Sequence, residues 1–256
     1  MISVITITYN NLSGLKETVS SVIKYSGFSE SVINELIVVD NLSIDGTDLF
    51  MRKLTNTNIS LNYHRESDFG VYDAMNKGVS LSKNKYVIFI NSGDLLINSI
   101  EAKDIHNINL KKYAGVAFSC IYSFGKYQRI VKARKVNKNK PRLPGLHQGM
   151  IYKKDVLLNI KYDIKFKICG DFDNVCRIYD QNISNEFLIN KKVISSLKAG
   201  GISSQKPFIL FMESTSIVFR NDSIPNYFKY IFFLRLFVRL FLFQILFRLN
   251  KLKILK

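Results

Sequence analysis

SDFGVYDAMNKGVSLSKNKYVIFINSGD, at residues 67–94, contains the change of pattern on which the fold depends. Its first part repeats apolar side chains every three or four residues, which predicts a helix over residues 70–81. Residues 86–90, YVIFI, form an uninterrupted apolar run, which is typical of a strand buried on both faces. That strand stops abruptly at NSGD, residues 91–94. The polar cluster is either a plain surface turn or part of a site for a metal ion and phosphates.

The chain before this stretch alternates strand and helix patterns in the same way. Short apolar and β-branched runs predict buried strands at residues 3–8, 35–40 and 59–64. Helices are predicted between them, and the first can be capped by Asn10 or Asn11. The β-α-β-α-β-α-β order predicts an α/β fold with a mostly parallel, Rossmann-like central sheet flanked by helices.

The four predicted strands all end in polar sequence. These ends are TYNN, VDNLS, HRESD and NSGD, and three of the four contain a carboxylate. Ligands of open α/β sheets bind beyond the carboxyl ends of the strands, where such sequences meet. The convergence therefore predicts a binding site at this edge of the sheet.

The second half of the chain has a less regular pattern. Short strands are predicted at residues 115–119, 128–132 and 149–152, and a helix at residues 172–179. No internal repeat is visible, so we expect this half to complete the same domain.

Basic residues outnumber acidic ones in this 256-residue chain, which carries a net charge of +17. The excess is concentrated at residues 132–142 and beyond Asp222, two segments without an acidic residue. The basic residues of the first segment are Lys132, Arg134, Lys135, Lys138, Lys140 and Arg142. Such clusters fit nucleic acid, an anionic bilayer or a phosphorylated substrate. Because no basic leader is visible and the three cysteines match no disulfide framework, we expect a cytosolic location.

The C-terminal segment from Tyr227 to Lys256 mixes aromatic, aliphatic and basic residues. If it spanned a bilayer, Arg235 and Arg239 would lie near mid-membrane at a cost of about 2.5–3.5 kcal/mol each. A helix in the membrane plane lets both side chains reach the headgroups. We therefore expect an amphipathic basic helix that binds an anionic membrane surface. A helix buried against a partner and a true span are the alternatives.

A nucleotide diphosphate at the strand ends would need its charge neutralised, which a divalent cation on oxygen ligands can do. Asp94 is placed to bind such an ion, and the glycine before it lets the backbone approach phosphates closely. Asp40 and Asp68 can accept hydrogen bonds from a base or ribose at the second and third strand ends. The helix that begins near Gly70 offers amide donors to phosphate. Its first turns carry Asp73, Asn76 and Lys77.

The segments TITYNN, ELIVVDNLSIDGT, ESDFGVYDAMNKG and YVIFINSGD together resemble family 2 glycosyltransferases with the A-type fold. They resemble especially the bacterial branch that builds O-antigen, capsule and other exopolysaccharides. LHQGMIY, YDIKFKICGDFDNVCRI and AGGISS extend the likeness. The resemblance implies a nucleotide-binding half at residues 1–98 and an acceptor-binding half at 99–205. The composition of the chain beyond them predicts a helical, membrane-associating extension at 206–256. The resemblance also implies sugar transfer with inversion from a nucleotide sugar to a hydroxyl, with Mn²⁺ or Mg²⁺.

The resemblance assigns roles to individual residues. Asp40 matches the carboxylate that reads the base. Residues 91–94 stand where the family has an Asp-x-Asp metal motif, and Asp94 is the one acid retained, so it is the expected metal ligand. The residues matched to nucleotide-sugar binding are Thr8, Tyr9, Asn10, Asp40, Asp68, Gly70, Asp73, Asn76, Ser92 and Gly93.

Displacement at the anomeric carbon requires a base for the acceptor hydroxyl. Asp171 in CGDFD matches the family's proposed catalytic aspartate, with Asp173 as the alternative. A helix that begins at Phe172 would place Asp171 at its N-cap, which also allows a purely structural role. His147 and Gln148 match a recurrent pair that can contact pyrophosphate, metal or acceptor, although His147 could equally be an ordinary loop histidine.

The resemblance implies an inverting glycosyltransferase with a UDP-linked donor, without excluding thymine or guanine nucleotides. Its acceptor would be a lipid-linked saccharide at the cytoplasmic face of a bacterial inner membrane. A catalytically inactive scaffold of the same fold is a second hypothesis, against which the retained Asp94 and Asp171 argue. A nucleic-acid-binding protein is a third, but residues 132–142 contain no interleaved aromatic residue, so no nucleic-acid partner is expected. The oligomeric state is not indicated.

Overall fold

The computed structural model describes residues 1–55, 57–109, 113–136, 142–181, 186–201 and 205–254. Lys138 and Lys140 of the predicted basic cluster lie outside these residues, as do residues 202–204 of AGGISS and the last two residues of the tail.

Strands and helices alternate through the first half of the chain, as the sequence predicts. The elements are β1 (Ile2–Thr8), α1 (Leu12–Ser26), β2 (Ile33–Asp40), α2 (Thr47–Lys53), β3 (Ser60–Arg65), α3 (Val71–Leu81), β4 (Tyr86–Phe89), β5 (Leu95–Leu96), α4 (Ala102–Ile105), β6 (Tyr113–Phe124), β7 (Tyr127–Val131), β8 (Met150–Lys153), α5 (Lys154–Asn159), α6 (Gly170–Asp180), β9 (Glu186–Lys198), α7 (Pro207–Arg220) and α8 (Asn226–Ile254). Short 3₁₀ turns lie at His106–Asn109 and His147–Gly149.

One mixed sheet runs through the described part of the chain in the order β3-β2-β1-β4-β8-β6-β9-β5, with β7 paired to β6. The first four strands are parallel, and Thr8 lies beside Asp40, which lies beside Arg65. This register brings the polar strand ends to one edge, as predicted. β8 is antiparallel to β4 and to β6, while β6 and β9 are parallel.

Helices cover both faces of the sheet because β1 and β2 alternate their side chains between two apolar cores. Leu15 and Val19 of α1 pack on one face, and Met75 and Val79 of α3 pack on the other. Gly78 allows α3 to approach the sheet closely, since a Cβ there would lie 2.4 Å from a methyl carbon of Ile5. The α/β fold with a central sheet between helices is confirmed.

The second half departs from the sequence prediction mainly in its strands. The strand predicted at residues 115–119 extends over the whole of β6, and β9 was not predicted at all. Asn190, Lys191 and Lys192 interrupt the apolar pattern of β9, which is formed by its long parallel pairing with β6. Pairing between distant segments leaves little trace in a local pattern.

The C-terminal helices form a pair beside the domain. Ile217 and Val218 of α7 are buried in the same core as α3 and α6. The rings of Phe211 and Phe219 contact Phe233 of α8. On the described side chains of α8, large apolar residues are exposed at Tyr227, Tyr230, Ile231, Phe233, Leu234, Phe237, Val238 and Phe241.

Within the described residues, no helix combines the length and apolar character needed to cross a bilayer.

Candidate active site

A cavity of about 990 Å³ opens at the edge where the parallel strands end. Its volume lies at the upper end of the range of about 300–1,000 Å³ that is usual for small-molecule sites. The walls come from the ends of β1 and β4, the start of α3, the loop before α6 and the end of β9. The predicted site residues that line it are Thr8, Tyr9, Asp68, Gly70, Ser92, Gly93, Asp94, His147, Gln148 and Asp171.

The turn after β4 is fixed by a buried threonine of α1. The Gly93 N–H donates to the Thr18 hydroxyl at 3.0 Å, and that hydroxyl lies 2.7 Å from the Asp94 carbonyl, to which it donates. Gly93 has a φ of 99°, a conformation that favours glycine. The NSGD sequence is therefore a rigid turn at the cavity wall. Thr18 was missed at the sequence level, although a hydroxyl on the apolar face of a helix was a signal for it.

Asp94 lies in this turn with its side chain only partly exposed. Burial raises the pKa of the Asp94 carboxyl to about 6, which a hydrogen bond from Gln148 partly opposes. The Gln148 Nε2 donates to Asp94 Oδ2 at 2.9 Å. The structure thus brings together two predicted site residues that lie 54 positions apart in the chain.

The donor atoms around Asp94 fit a divalent cation that shares its ligands with a substrate. The described residues contain no cluster of three or more His, Cys, Asp or Glu able to hold a metal alone. However, the buried Asn91 Oδ1 has no hydrogen-bond partner among the described residues, and Asn91 lines the same cavity. One carboxylate with neutral oxygens suits Mg²⁺ or a similar ion, which takes its remaining ligands from phosphates and water.

Two further polar groups beside the cavity have no hydrogen-bond partner within the part of the chain that the structure describes. They are the Thr8 hydroxyl and both ring nitrogens of His147. Buried polar groups are nearly always satisfied, so such exceptions need an explanation. A polar ligand in the cavity would supply the missing hydrogen bonds.

The nucleoside end of the predicted site is built around β1. Tyr9 is 62% exposed at the cavity rim, where its ring is free to stack on a planar group. The side chain of Asn10 accepts the Ile44 N–H at 2.9 Å and so organises the neighbouring loop. Asn41 lines the cavity and accepts the Asp68 N–H at 3.0 Å.

Asp40 is fully buried and is not among the described residues that line the cavity. Its oxygens accept the Ser43 N–H at 3.1 Å and the Tyr63 hydroxyl at 2.8 Å, and Arg65 lies 3.7 Å away. In this structure Asp40 stabilises the loop after β2, and its contact with a base stays a prediction.

The start of α3 is organised by its own acidic side chains. Asp68 accepts the Gly70 N–H at 2.8 Å, and burial raises the pKa of the Asp68 carboxyl. Asp73 accepts the Phe69 N–H at 3.1 Å. Asn76 binds the backbone of Tyr162 twice, at 2.9 and 3.0 Å, and therefore ties α3 to the loop before α6. For Asp73 and Asn76, direct donor contact stays a prediction.

Asp171 does not cap α6, contrary to the sequence prediction. The helix begins at Gly170, Cys169 is its N-cap, and the Cys169 carbonyl accepts the Asp173 N–H at 2.9 Å. The earlier start is allowed because Gly170 packs its backbone on the ring of Tyr72, which a Cβ would contact at 2.7 Å. Asp171 therefore lies in the first helical turn, where its negative charge is still favoured.

The Asp171 carboxyl lines the cavity, and hydrogen bonding offsets only part of the effect of burial on its pKa. Burial raises its pKa to about 6, and the hydrogen bond from the Phe172 N–H opposes this shift. The Phe172 N–H donates to Asp171 Oδ1 at 2.8 Å. A carboxyl with a pKa near the working pH can accept a proton in the reaction and release it afterwards.

Asp173 and His147, the other candidates for chemistry, occupy different surroundings. Asp173 is buried in ion pairs with Arg177, at 2.7 Å, and with Arg220, and is not among the described residues that line the cavity. His147 is 7% exposed and stacks on Phe89 with ring centroids 4.9 Å apart. Burial lowers its pKa to about 4, so the ring is neutral at pH 7 and can both donate and accept hydrogen bonds.

Solved glycosyltransferase structures share this fold. Staphylococcus aureus TarS in complex with UDP aligns with a TM-score of 0.61 and 18% identity, covering 89% of this chain and 68% of that one. A mannosyltransferase from Pyrobaculum calidifontis, in complex with GDP-Man and Mn²⁺, aligns with a TM-score of 0.63 and 14% identity, covering 90% and 67%. The chain spans 41% of the longer TarS structure.

Residues 3–182 match the family model described as glycosyl transferase family 2, and the protein therefore belongs to that family. Poly(ribitol-phosphate) beta-N-acetylglucosaminyltransferase TarP of S. aureus is 28% identical over 193 residues, which are 75% of this chain and 58% of TarP. A PGL/p-HBAD biosynthesis glycosyltransferase of Mycobacterium tuberculosis is 25% identical over 182 residues, 66% of this chain and 68% of that protein. The predicted A-type fold and family are confirmed.

Proposed function

We propose that this protein is an inverting glycosyltransferase that moves a sugar from a UDP-sugar to a hydroxyl of a lipid-linked saccharide in bacterial surface polysaccharide synthesis. The observation that carries the proposal is the cavity at the strand ends. It is lined by both Asp94, which suits a metal–diphosphate, and Asp171, which suits a base.

The donor would lie with its nucleoside toward β1 and its diphosphate toward the turn after β4. Tyr9 would stack on the base, and the unpartnered Thr8 hydroxyl would hydrogen-bond the nucleoside. TarS structures with UDP and UDP-GlcNAc, and the N-acetylglucosaminyltransferase name of TarP, support the choice of a UDP donor.

Asp94 and Asn91 would hold Mn²⁺ or Mg²⁺ beside the diphosphate. When bound, the cation supplies positive charge that stabilises the leaving nucleotide. Gln148 keeps the Asp94 carboxylate oriented through its 2.9 Å hydrogen bond. The rigid Thr18–Gly93 contact keeps the turn in place when the ligand enters.

Asp171 would remove the proton from the acceptor hydroxyl as its oxygen attacks the anomeric carbon. The nucleotide leaves from the opposite side, so the configuration at that carbon inverts. The neutral His147, close to the same wall, would bind a sugar hydroxyl or phosphate oxygen with its unpartnered nitrogens. Asp173 is already neutralised by two arginines and is the weaker candidate for the base.

Calorimetric titration with UDP, dTDP and GDP, each with and without Mn²⁺, tests the donor assignment. We expect UDP to bind most tightly of the three, and only weakly without the metal, because the Asp94 carboxylate repels the diphosphate when no cation lies between them. Preferred binding of GDP or dTDP would overturn the UDP assignment. Absence of binding by all three would contradict the proposed function.

The acceptor would be presented at the cytoplasmic face of the inner membrane, where α8 binds peripherally. Exposed aromatic and aliphatic side chains lie on α8 together with Arg235 and Arg239 in a chain of net charge +17. This combination suits an anionic interface, where apolar side chains insert and basic ones bind headgroups.

Removal of residues 227–256 is expected to release the protein from vesicles that contain anionic lipid, as measured by co-sedimentation. Because α8 also packs on α7, the double variant Leu234→Ser/Phe241→Ser provides a version with an intact helix pair. Both side chains are more than half exposed, and we expect at least about tenfold weaker binding from the lost apolar contact. Unaltered vesicle binding by both variants would contradict the membrane role.

A further inference from the structure

A carboxylate outside the family-matched region holds the backbone in front of Asp171. Glu213 lies in α7, beyond residues 3–182. Its Oε1 accepts the Lys167 N–H at 2.7 Å, and its Oε2 accepts the N–H groups of Ile168 and Cys169, both at 2.9 Å. A single side chain thus satisfies three consecutive amide donors.

These three amides belong to the segment that forms the cavity wall. Lys167 and Ile168 line the cavity, and Asp171 follows Cys169 by two residues. The Ile168 carbonyl accepts the Tyr72 hydroxyl at 2.6 Å, so α3 holds the segment from the other side. The segment is therefore clamped between the predicted donor-binding helix and α7.

A second side chain of α7 reinforces the clamp. Arg220 pairs with the buried Asp173 in the first turn of α6, and its guanidinium carbon lies 4.9 Å from the ring centroid of Phe166. Charge-assisted hydrogen bonds such as those of Glu213 are roughly twice as strong as neutral ones, and backbone groups fix the chain path more directly than side chains. The middle of α7, through Glu213, and its C-terminal end, through Arg220, thus contact the segment before α6 and the first turn of that helix.

We propose that Glu213 is a positioning residue that sets the location of Asp171 at the cavity wall. This inference rests on the proposed function of Asp171 as the base. In this proposal α7 contributes to catalysis through Glu213. Phe172, in the first turn of α6, stacks on Phe232 of α8 at 6.2 Å between ring centroids, so α8 contacts the same helix start.

The charged and titratable groups around Asp171 come from four elements or loops. They are Tyr72 on α3, Tyr152 on β8, Tyr162 and Cys169 in the loop before α6, and Glu213 on α7. Burial is the main cause of the raised pKa of Asp171, and the Glu213 carboxylate adds to it through charge repulsion. Removing the Glu213 charge is therefore expected to lower the pKa of Asp171, which can be measured from the pH dependence of activity.

The experiment compares Glu213→Gln and Glu213→Ala with Asp222→Asn, a control that removes one exposed negative charge just after α7. Amide hydrogen exchange of residues 167–169 needs no substrate. We expect exchange to rise at least about tenfold in Glu213→Ala, because the amides lose their acceptor. The control is expected to leave it unchanged.

Kinetics separate positioning from general destabilisation. We expect kcat of Glu213→Ala to fall by up to about 100-fold with KM for the donor little changed, since small misplacement of a reacting group is costly. For Glu213→Gln, the acid limb of kcat/KM is expected to move to lower pH, and Glu213→Asp is expected to restore part of the rate. A merely structural role would lower the melting temperature and leave kcat per folded molecule unchanged.

Unchanged amide exchange in a folded Glu213→Ala variant would overturn the proposal, as would full kcat. If Glu213→Ala does not fold, Glu213→Gln decides through the same two measurements. Failure of the wild type to bind any of the three nucleotides would instead remove the proposed function. The exchange result is independent of that outcome, so the two failures are distinguishable.

Discussion

Asp171→Asn lowers kcat by about 10²–10⁴-fold and leaves donor affinity close to that of the wild type, because general-base catalysis contributes factors of this size. Asparagine has nearly the same shape and still accepts the Phe172 N–H, so α6 keeps its start. It cannot take a proton from an acceptor. Release of UDP from the UDP-sugar, with water or a lipid extract as acceptor, measures turnover, and calorimetry measures binding.

Two variants control for nonspecific effects of the same substitution. Asp155→Asn changes an exposed aspartate in the first turn of α5 and is expected to retain full turnover. Asp173→Asn weakens a buried ion-pair cluster with Arg177 and Arg220, so we expect lower stability with turnover per folded molecule retained. Full turnover by Asp171→Asn, or complete loss in folded Asp173→Asn, would transfer the role of base to Asp173.

The pH dependence of activity tests the same assignment of Asp171 as the base. A base must be deprotonated to act, and burial raises the pKa of Asp171 to about 6. Activity should therefore be present above pH 6 and decline about tenfold per pH unit below it in kcat/KM, which reports the free enzyme. In Asp171→Asn the limb should lose the contribution of Asp171 and keep at most that of Asp94, whose pKa burial also raises to about 6. If the acid limb of the wild-type kcat/KM profile lay near pH 4 instead, the base would be an exposed carboxyl with an ordinary pKa.

The parallel half of the fold was predictable because its signals are local. Strands such as YVIFI, and the apolar face of α3, can be identified from neighbouring residues alone, and their order fixes where the polar ends meet. Asp94 and Asp171 were found because strand ends and a known motif marked them. The start of α6 was misplaced because it depends on Gly170 packing against Tyr72, a contact between distant segments.

The site contacts that the sequence did not indicate are hydrogen bonds between residues far apart in the chain. The hydrogen bond from Gln148 to Asp94 and the three amides held by Glu213 each depend on how separate elements pack. For Asp40, the position at a strand end predicts ligand contact, which stays a prediction, and the structure adds that its oxygens accept hydrogen bonds within the protein. A carboxylate at a strand end indicates a site, and burial and partners decide its role.

Asp94→Asn should abolish the dependence of UDP affinity on Mn²⁺. Neutral amide oxygen is a much weaker ligand for a hard cation than carboxylate, and the described residues offer no second acidic cluster as a substitute. Loss of an outer partner of a metal ligand typically costs about 10–100-fold in affinity, so loss of the carboxylate itself should cost at least about 100-fold. Gln148→Ala, which removes only the orienting hydrogen bond, should fall within the smaller range.

The measurement is calorimetric titration of UDP at several Mn²⁺ concentrations for the wild type, both variants and a surface control. Asp48→Asn is a suitable control because Asp48 is not among the described residues that line the cavity, and its salt bridge with the exposed Arg52 is worth about 0–1 kcal/mol. If Asp94→Asn retained metal-dependent binding, the cation would be held elsewhere, and Asn91 with the phosphates would become the site to test. If it lost UDP binding equally with and without Mn²⁺, Asp94 would contact the nucleotide or support the turn rather than the metal. Suppose that UDP affinity in the presence of Mn²⁺ falls in two steps, first in Gln148→Ala and further in Asp94→Asn. The carboxylate and its orientation would then both contribute to metal-dependent binding.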